Sequence, residues 1–403
     1  MRPGVRLGED SGAVSPLASV EPSFWHGRRV LVTGHTGFKG AWLSLWLQSL
    51  GAEVTGLAPG PPTEPSLYGL ARVGEGMAGE LPLDVRDRPA VAEAVRAHRP
   101  EVLFHLAAQP MVRLSLREPL MTFEVNVMGT ANVLDAVRLH PSSVAAAVVV
   151  TSDKCYANPP GEPRRLTEDD PLGGKDPYSA SKAAAEIVTG AYRESFFAEP
   201  FPAGGPRIAS ARAGNVIGGG DFGEDRLIPD VLRAHAAGRP VAIRNPGAIR
   251  PWQHVLNPLS GYLLLAQALC SASPHAAPSA HGARSEALEQ SGAPGEAGLA
   301  FGAAAARAWN FGPPAEDCRT VIDVVRPLCE LLDGDTGWAL DAGENPPEVA
   351  RLELDSSAAQ ARLGWRARWD LDEALRRVAE WHRRQRAGID ARETSFQQIA
   401  AFR

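Results

Sequence analysis

Tyr178 and Lys182 stand four residues apart in Tyr178-Ser179-Ala180-Ser181-Lys182, at the start of a stretch with helical periodicity. Four-residue spacing puts both side chains on one helix face. An ammonium beside a phenol favours the phenolate. A tyrosine tuned in this way can take a hydroxyl proton while a hydride leaves the same carbon. Ser152, at the end of the preceding apolar run, can hydrogen-bond the tyrosine oxygen or the hydroxyl being oxidised. Two ionisable residues follow it directly, in Thr151-Ser152-Asp153-Lys154-Cys155-Tyr156. Oxidation and re-reduction of one carbon need only Ser152, Tyr178 and Lys182. Removing water across the neighbouring bond also needs an acid for the departing hydroxyl and a base for the acidified C–H. Asp153 and Lys154 can supply both. The competing reading is a solvated Asp-Lys pair at a strand end.

These side chains need a scaffold, and the apolar periodicity supplies one. Arg28 to Thr33 reads as a buried strand, and Gly37 to Leu50 as a helix with Trp42, Leu45, Trp46 and Leu50 on related turns. A strand at Glu53 to Leu57, a helix at Arg88 to His98 and a strand at Val102 to His105 follow. A long helix over Leu120 to Leu139, a strand at Ala146 to Thr151, a helix at Tyr178 to Phe197 and a strand at Arg207 to Arg212 complete the alternation. Strands alternating with helices predict an α/β fold: a Rossmann-like, doubly wound parallel sheet with right-handed crossovers. Between the first strand and helix runs Thr33-Gly34-His35-Thr36-Gly37-Phe38-Lys39-Gly40. Gly34 allows the tight turn, Gly37 lets a pyrophosphate approach the backbone, and Gly40 lets the helix pack closely on the sheet. The helix N-terminus offers free N–H groups to the phosphates. The expected ligand is a dinucleotide, whose positive nicotinamide ring would further favour the Tyr178 phenolate. A ligand-free glycine turn is the alternative.

The rest of the chain divides by composition. Residues 1–24 mix Gly, Pro, Ser and acidic residues and read as a flexible tail without a secretory signal. Residues 25–214 form the expected cofactor-binding domain. Residues 215–403 are less regular and predict a smaller substrate-binding cap, partly interleaved with the core. Within the cap, 271–307 is rich in Ala, Gly, Ser and Pro and reads as a disordered insertion, with a helical hairpin as the alternative. The 403 residues carry a net charge of −6, which gives no support to nucleic-acid binding. No run of 18 apolar residues exists to span a membrane. Four cysteines without metal-finger spacing predict no metal site and a reduced, cytoplasmic protein.

The G-x-x-G-x-x-G spacing, with the later Tyr-x-x-x-Lys, resembles the extended branch of the short-chain dehydrogenase/reductase superfamily. That resemblance implies a cofactor cradle from Gly34, Thr36, Gly37, Phe38 and Gly40, an adenine contact from Asp84-Val85, and Leu106, Ala107, Ala108 and Gln109 beside the nicotinamide ribose, with Tyr178 and Lys182. It also implies a structural role for Asn126. One departure stands out. The second strand of the superfamily usually ends in an acid that holds the adenosine ribose, whereas here Gly56-Leu57-Ala58-Pro59 contains none. On physical grounds NAD and NADP both stay open, and Lys39 could favour NADP.

Thr151-Ser-Asp-Lys-Cys-Tyr156, Arg212-Ala-Gly-Asn215, Glu224-Asp-Arg226-Leu227-Ile-Pro-Asp230, Arg250-Pro-Trp-Gln-His254-Val and Trp309-Asn-Phe-Gly-Pro313 together resemble the CDP-glucose 4,6-dehydratase family of nucleotide-sugar enzymes. The resemblance covers roughly 24–269 and 309–382. It implies NAD, a CDP-glucose substrate with its diphosphate held by Asn215 and Arg250, a nucleotide pocket lined by Arg226 and Leu227, and a homodimer through helices 120–139 and 178–197. Arg suits a diphosphate because its guanidinium donates in pairs. The alternatives are another nucleotide-sugar dehydratase or epimerase, or a non-catalytic nucleotide-binding protein.

Overall fold

The computed structural model describes residues 19–158, 164–198, 205–271, 296–332, 337–341, 343 and 351–403. After the short helix α1 (Pro22–Trp25), β1 (Arg29–Thr33), α2 (Phe38–Ser49), β2 (Glu53–Leu57), α3 (Leu67–Leu70), β3 (Gly79–Leu81), α4 (Arg88–His98) and β4 (Val102–His105) alternate. Helices α5 (Val112–Arg117), α6 (Pro119–Phe123) and α7 (Gly129–Leu139) lead to β5 (Ala146–Val150), α8 (Pro177–Phe196) and β6 (Arg207–Arg212). The second half holds β7 (Val216–Ile217), α9 (Leu227–Ala236), β8 (Val241–Ile243), β9 (Ile249–Pro251), β10 (Gln253–His254) and α10 (Leu256–Cys270). It continues through α11 (Glu296–Ala305), β11 (Ala308–Asn310), β12 (Cys318–Thr320), α12 (Val321–Leu331), β13 (Trp338–Leu340), α13 (Leu371–Arg386) and α14 (Ala391–Phe402).

Seven parallel strands form the central sheet in the order β11-β6-β5-β4-β1-β2-β3. The alternation of side chains along each strand feeds two separate cores. Val30, Val32, Val54, Phe104 and Val148 face α2 and α10, while Leu31, Leu57, Leu103, Ala147 and Val149 face α4 and α7. All fifteen residues of α10 are buried, as an all-round apolar helix requires. A third cluster joins Ile217, Ile228, Val231 and Trp252 to Val324, Leu328, Leu375 and Val378, and this is the core of the C-terminal region.

The predicted helix at 120–139 is present but changes pitch. Residues Glu124–Met128 form a π-helical turn between α6 and α7, a feature that often re-aims a functional side chain. Here it carries Asn126. Two boundaries differ from the sequence reading. Ser19–Trp25 is not free tail: Val20 and Phe24 pack on the core, Trp25 is buried, and the Glu21 N–H donates to Gln267 at 3.0 Å. Residues 1–18 lie outside the described residues. The segment 271–307 is ordered at its end, because α11 packs on α10 and β6, Ala305 is buried and the Ala305 carbonyl accepts from Trp309 Nε1 at 2.8 Å. Its apolar stripe is mostly alanine, so packing decides the helix where periodicity is weak. Residues 272–295 of that segment lie outside the described residues.

The C-terminal helix returns to the first half of the chain. On α14, Arg392 donates to the Arg72 carbonyl at 2.8 Å and to Gln48 at 2.9 Å, and Phe402 packs edge-on against Trp46 at 5.5 Å. Among the described residues, no helix is long and apolar enough to cross a membrane.

Candidate active site

The glycine loop closes as a cradle. Gly34 has φ +74°, and a Cβ there would stand 2.7 Å from Ala107 N. A Cβ on Gly40 would meet the Gly34 carbonyl oxygen at 2.1 Å. At Gly37 the only neighbour is that same oxygen at 3.4 Å, so the outer side of the α2 N-terminus is open. This shape fits a pyrophosphate on backbone N–H groups. Thr36 spends its hydroxyl on the Gly60 carbonyl at 2.7 Å, and Phe38 packs against Gly218. Leu106, Ala107 and Ala108 continue from β4 as a half-exposed row at the same edge of the sheet. Asp84 is bound by Arg86 through side chain and backbone, which holds its carboxyl below the usual range, and Val85 is buried beneath it.

No acid follows β2 in sequence, but Glu80 on β3 stands in register with Gly56. Its carboxylate is 3.1 Å from His35 Nε2 and accepts the Tyr68 hydroxyl. The His35 ring fills the space that a side chain at Gly56 would take. Lys39 does not serve the adenosine end of the loop. Its charge neighbours are Lys182, Asp153 and Arg226, and burial brings its ammonium down to about 8. The sequence-based link between Lys39 and a 2′-phosphate therefore fails: the first turn of α2 directs it to the redox side chains.

Those side chains come together at the ends of β5 and α8. Asp176 caps α8 by accepting from Ser179 N at 2.9 Å, and Pro177 opens its first turn. Tyr178 follows, buried, with Lys182 buried one turn on. Asn126 accepts from Gln109 N at 2.8 Å and donates to Ser181 at 2.8 Å, so the π-turn ties the β4 loop to α8. Ser152 reaches the Tyr178 oxygen. Burial outweighs the effect expected of Lys182 on the phenol: Tyr178 is pushed up to about 12, with the Ser152 hydrogen bond and the Arg226 charge pulling the other way. Lys182 is itself drawn down to about 8 by burial, against the opposing charge of Glu186.

Asp153 and Lys154 open a 3-10 turn capped by Ser152, whose hydroxyl accepts from Lys154 N at 3.2 Å and donates to Asp153 Oδ1 at 2.9 Å. Asp153 is 1% exposed, and its Oδ2 has no hydrogen-bond partner among the described residues. The absence of a side chain at Gly214 makes room for it, since a Cβ there would stand 2.8 Å from Oδ2. A buried carboxylate oxygen left unmatched is costly, and such groups mark sites where a ligand completes the set. Lys154 Nζ is 3.9 Å from Asp153 Oδ1 and about one-third exposed, which places it at the mouth of the site.

The expected substrate residues divide into two groups. Arg226, the N-cap residue of α9, pairs with Asp221 at 3.0 Å, and its charge reaches Tyr178 and Lys39. Leu227 packs on the C-terminal core. Asn215 has a buried, unpartnered Oδ1, and its carbonyl accepts from Gln253 N at 3.1 Å. Arg250 is buried on the adjoining strand β9 and donates to the Ile249 carbonyl at 2.9 Å. Trp252 and His254, left without a role by the sequence, are packing residues. The first donates to the Arg319 carbonyl, and the second is a buried neutral imidazole between Trp42 and Trp369. Among the described residues, no cluster suits a metal ion.

Known proteins share this arrangement. The NAD dependent epimerase/dehydratase family matches residues 30–276. A CDP-glucose 4,6-dehydratase of Salmonella typhimurium is 43% identical over 388 residues, covering 95% of this chain and 98% of that protein. A dTDP-glucose 4,6-dehydratase of Streptomyces venezuelae, solved with NAD bound, superposes with a TM-score of 0.69 at 21% identity, over 90% of this chain and 99% of its own. A UDP-glucose 4-epimerase of Thermus thermophilus in complex with NAD gives 0.66 at 24% identity, over 87% and 98%. The two structures share the fold, and the Salmonella relative shares nearly the whole length of the sequence. With its glycine cradle, its parallel sheet and its Ser152–Tyr178–Lys182 set, the chain belongs to the NAD dependent epimerase/dehydratase family.

Proposed function

We propose that this chain is an NAD-dependent hydro-lyase that converts CDP-glucose to CDP-4-keto-6-deoxyglucose and water. The observation that carries the reading is the 43% identity to a CDP-glucose 4,6-dehydratase across 95% of the chain. The unpartnered Asp153 carboxylate beside the redox set supports it, because an epimerase needs no second acid. Gly34, Thr36, Gly37, Phe38 and Gly40, with Asp84, Val85 and the 106–108 row, hold the cofactor. NAD held there would supply the hydride acceptor for C4 and the hydride donor for C6. Tyr178 takes the C4 hydroxyl proton, Lys182 and Ser152 orient it, and Lys182 holds the nicotinamide ribose. The resulting 4-ketone acidifies C5. Lys154 removes the C5 proton and gives it back to C5 when hydride reaches C6, while Asp153 serves as the acid for the C6 hydroxyl, which leaves as water, and recovers its proton from the one Tyr178 took at C4. Asn215 and Arg250 hold the diphosphate, and Arg226 with Leu227 lines the nucleotide pocket.

Cytosine presents an amino donor where thymine and uracil present a carbonyl acceptor. A pocket built for one leaves buried groups unpaired with the other. Incubation with CDP-, dTDP-, UDP- and GDP-glucose is expected to give the 4-keto product with kcat/KM for CDP-glucose at least about 100-fold above the others. No net NADH accumulates, because the hydride returns to the sugar. Equal kcat/KM for dTDP-glucose removes the nucleotide assignment and leaves the dehydratase standing. Sustained NADH formation removes the dehydratase.

The working form is a cytoplasmic homodimer. Leu116, Leu120, Phe123 and Met128 on the α5–α7 stretch and Ile187 on α8 are exposed, Leu120 at 77%. An apolar set of this kind on neighbouring helices marks an interface. The four free cysteines fit a reducing compartment. Sedimentation equilibrium is expected to give twice the 42.8 kDa chain mass, and Leu120→Glu to shift it toward the monomer. A monomeric wild type rejects the dimer.

A further inference from the structure

Beneath the redox pair, one turn beyond Lys182 on α8, is a buried acid that the mechanism does not use. Glu186 is 5% exposed, and among the described residues the hydrogen bonds to its carboxylate come from the residue after β5 and from β6. One oxygen accepts the hydroxyl of Thr151, the residue before Ser152 at the end of β5. The other accepts Ser210 Oγ at 2.7 Å and Arg212 Nη2 at 2.8 Å, both from β6. Arg212 passes the connection on, donating to the Tyr156 hydroxyl at 2.7 Å and the Glu168 carbonyl at 3.0 Å, and Tyr156 donates to Asn310 on β11 at 2.7 Å. A single carboxylate thus ties the catalytic helix to the end of β5, just before the turn that carries Ser152 and Asp153. Tyr178, Lys182 and Glu186 follow one another at four-residue intervals along one helix face.

We infer that Glu186 is a positioning residue for the dehydration: its carboxylate fixes α8, and with it Tyr178 and Lys182, against β5 and β6. The inference rests on the dehydratase reading for its catalytic consequence, but not for its physical core. An ammonium withdrawn from water loses hydration and favours the neutral amine, and a nearby carboxylate opposes that loss. Glu186 is the largest such opposing influence on Lys182, followed by Cys155. The other titratable groups whose charges couple to Lys182 are Lys39 at the start of α2 and His105 on β4, and neither supplies a negative charge. Arg212 pairs with Glu186 directly at 2.8 Å but is not among the groups acting on Lys182.

The chain has four lysines, Lys39, Lys154, Lys175 and Lys182, so each can be followed by NMR after 13Cε labelling, with Lys182→Arg assigning the resonance. Glu186→Gln keeps the shape and removes the charge. Losing a negative neighbour makes the ammonium less stable, so Lys182 releases its proton at lower pH. Its midpoint is expected to fall by about one pH unit or more, roughly the effect of one close charge. The alkaline limb of kcat for CDP-glucose moves down with it, kcat at pH 8 falls at least about fivefold, and KM changes little. The double variant Glu186→Gln/Arg212→Gln leaves no unpaired guanidinium and keeps the lowered midpoint, whereas Glu186→Asp holds it near the wild-type value. An unchanged Lys182 midpoint in Glu186→Gln, or its return to the wild-type value in the double variant, overturns the inference. Wild-type protein that converts no nucleotide sugar overturns the dehydratase reading instead, and the NMR result stands apart from it.

Discussion

Tyr178→Phe is expected to lower kcat for CDP-glucose by about 10³-fold, within the range that one positioned proton-transfer group supplies. The substitution deletes one oxygen from a buried ring and leaves the packing of α8 intact. The hydrogen bond with Ser152 is lost, but Ser152 keeps its bond to Asp153 at 2.9 Å, so the 3-10 turn stays in place. The effect is large because burial holds the phenol up to about 12. In a protein at neutral pH, the C4 proton then has a prepared acceptor only when the cofactor charge and Lys182 act on Tyr178 together. Rapid mixing of the variant with substrate should show almost no absorbance of reduced cofactor, because oxidation at C4 is the step that stalls. Turnover within tenfold of wild type would remove Tyr178 from the role of base.

Asp153→Asn gives the complementary result. The expected loss in kcat is about 10²- to 10⁴-fold, but reduced cofactor should accumulate transiently, because C4 oxidation still runs while elimination does not. Lys154→Ala is expected to show the same build-up with a smaller loss, since its side chain is about one-third exposed and water can reach its place. Stability should move the other way. Asp153 keeps one carboxylate oxygen buried without a partner, and a neutral amide of the same shape relieves that desolvation. A melting temperature equal to or above that of the wild type, with activity nearly gone, is the pattern of a group retained for chemistry. If the Asn variant turned over normally, Asp153 would not be the acid.

These two experiments act on residues that one-dimensional spacing already grouped. The five strands β1, β2, β4, β5 and β6 and the loop at 34–40 were legible because apolar runs and glycines are local signals. Tyr178, Lys182, Ser152 and Asp153 were legible because the end of a strand and the first turn of a helix are short stretches. Other features depend on contacts distant in sequence. Lys39 carries no sign of its direction, which is set by where the start of α2 stands relative to Lys182, Asp153 and Arg226. Strand β11 comes long after β6 in the chain, and only the sheet pairs Trp309 with Ala211. The sequence of α11 is mostly alanine and glycine, which give a weak apolar period. Glu186 could have been found: it repeats the four-residue step from Lys182, and a carboxylate on that face calls for a partner. Its partner, Arg212, is visible only once β6 is laid beside β5.

The return of α14 to the first half of the molecule also bears on how the chain is made. Trp46, at the centre of the largest core, is covered by Phe402, and the loop after α3 is held by Arg392. A ribosome produces the first of these residues long before the second. Throughout that interval a large apolar face on the cofactor half has no cover, and contacts of such long sequence separation form slowly. The nascent protein therefore carries this face exposed through most of its synthesis, as a surface for chaperones or for aggregation. The core around Trp46 is completed only once α14 has been made, because Ile399 and Phe402 belong to it.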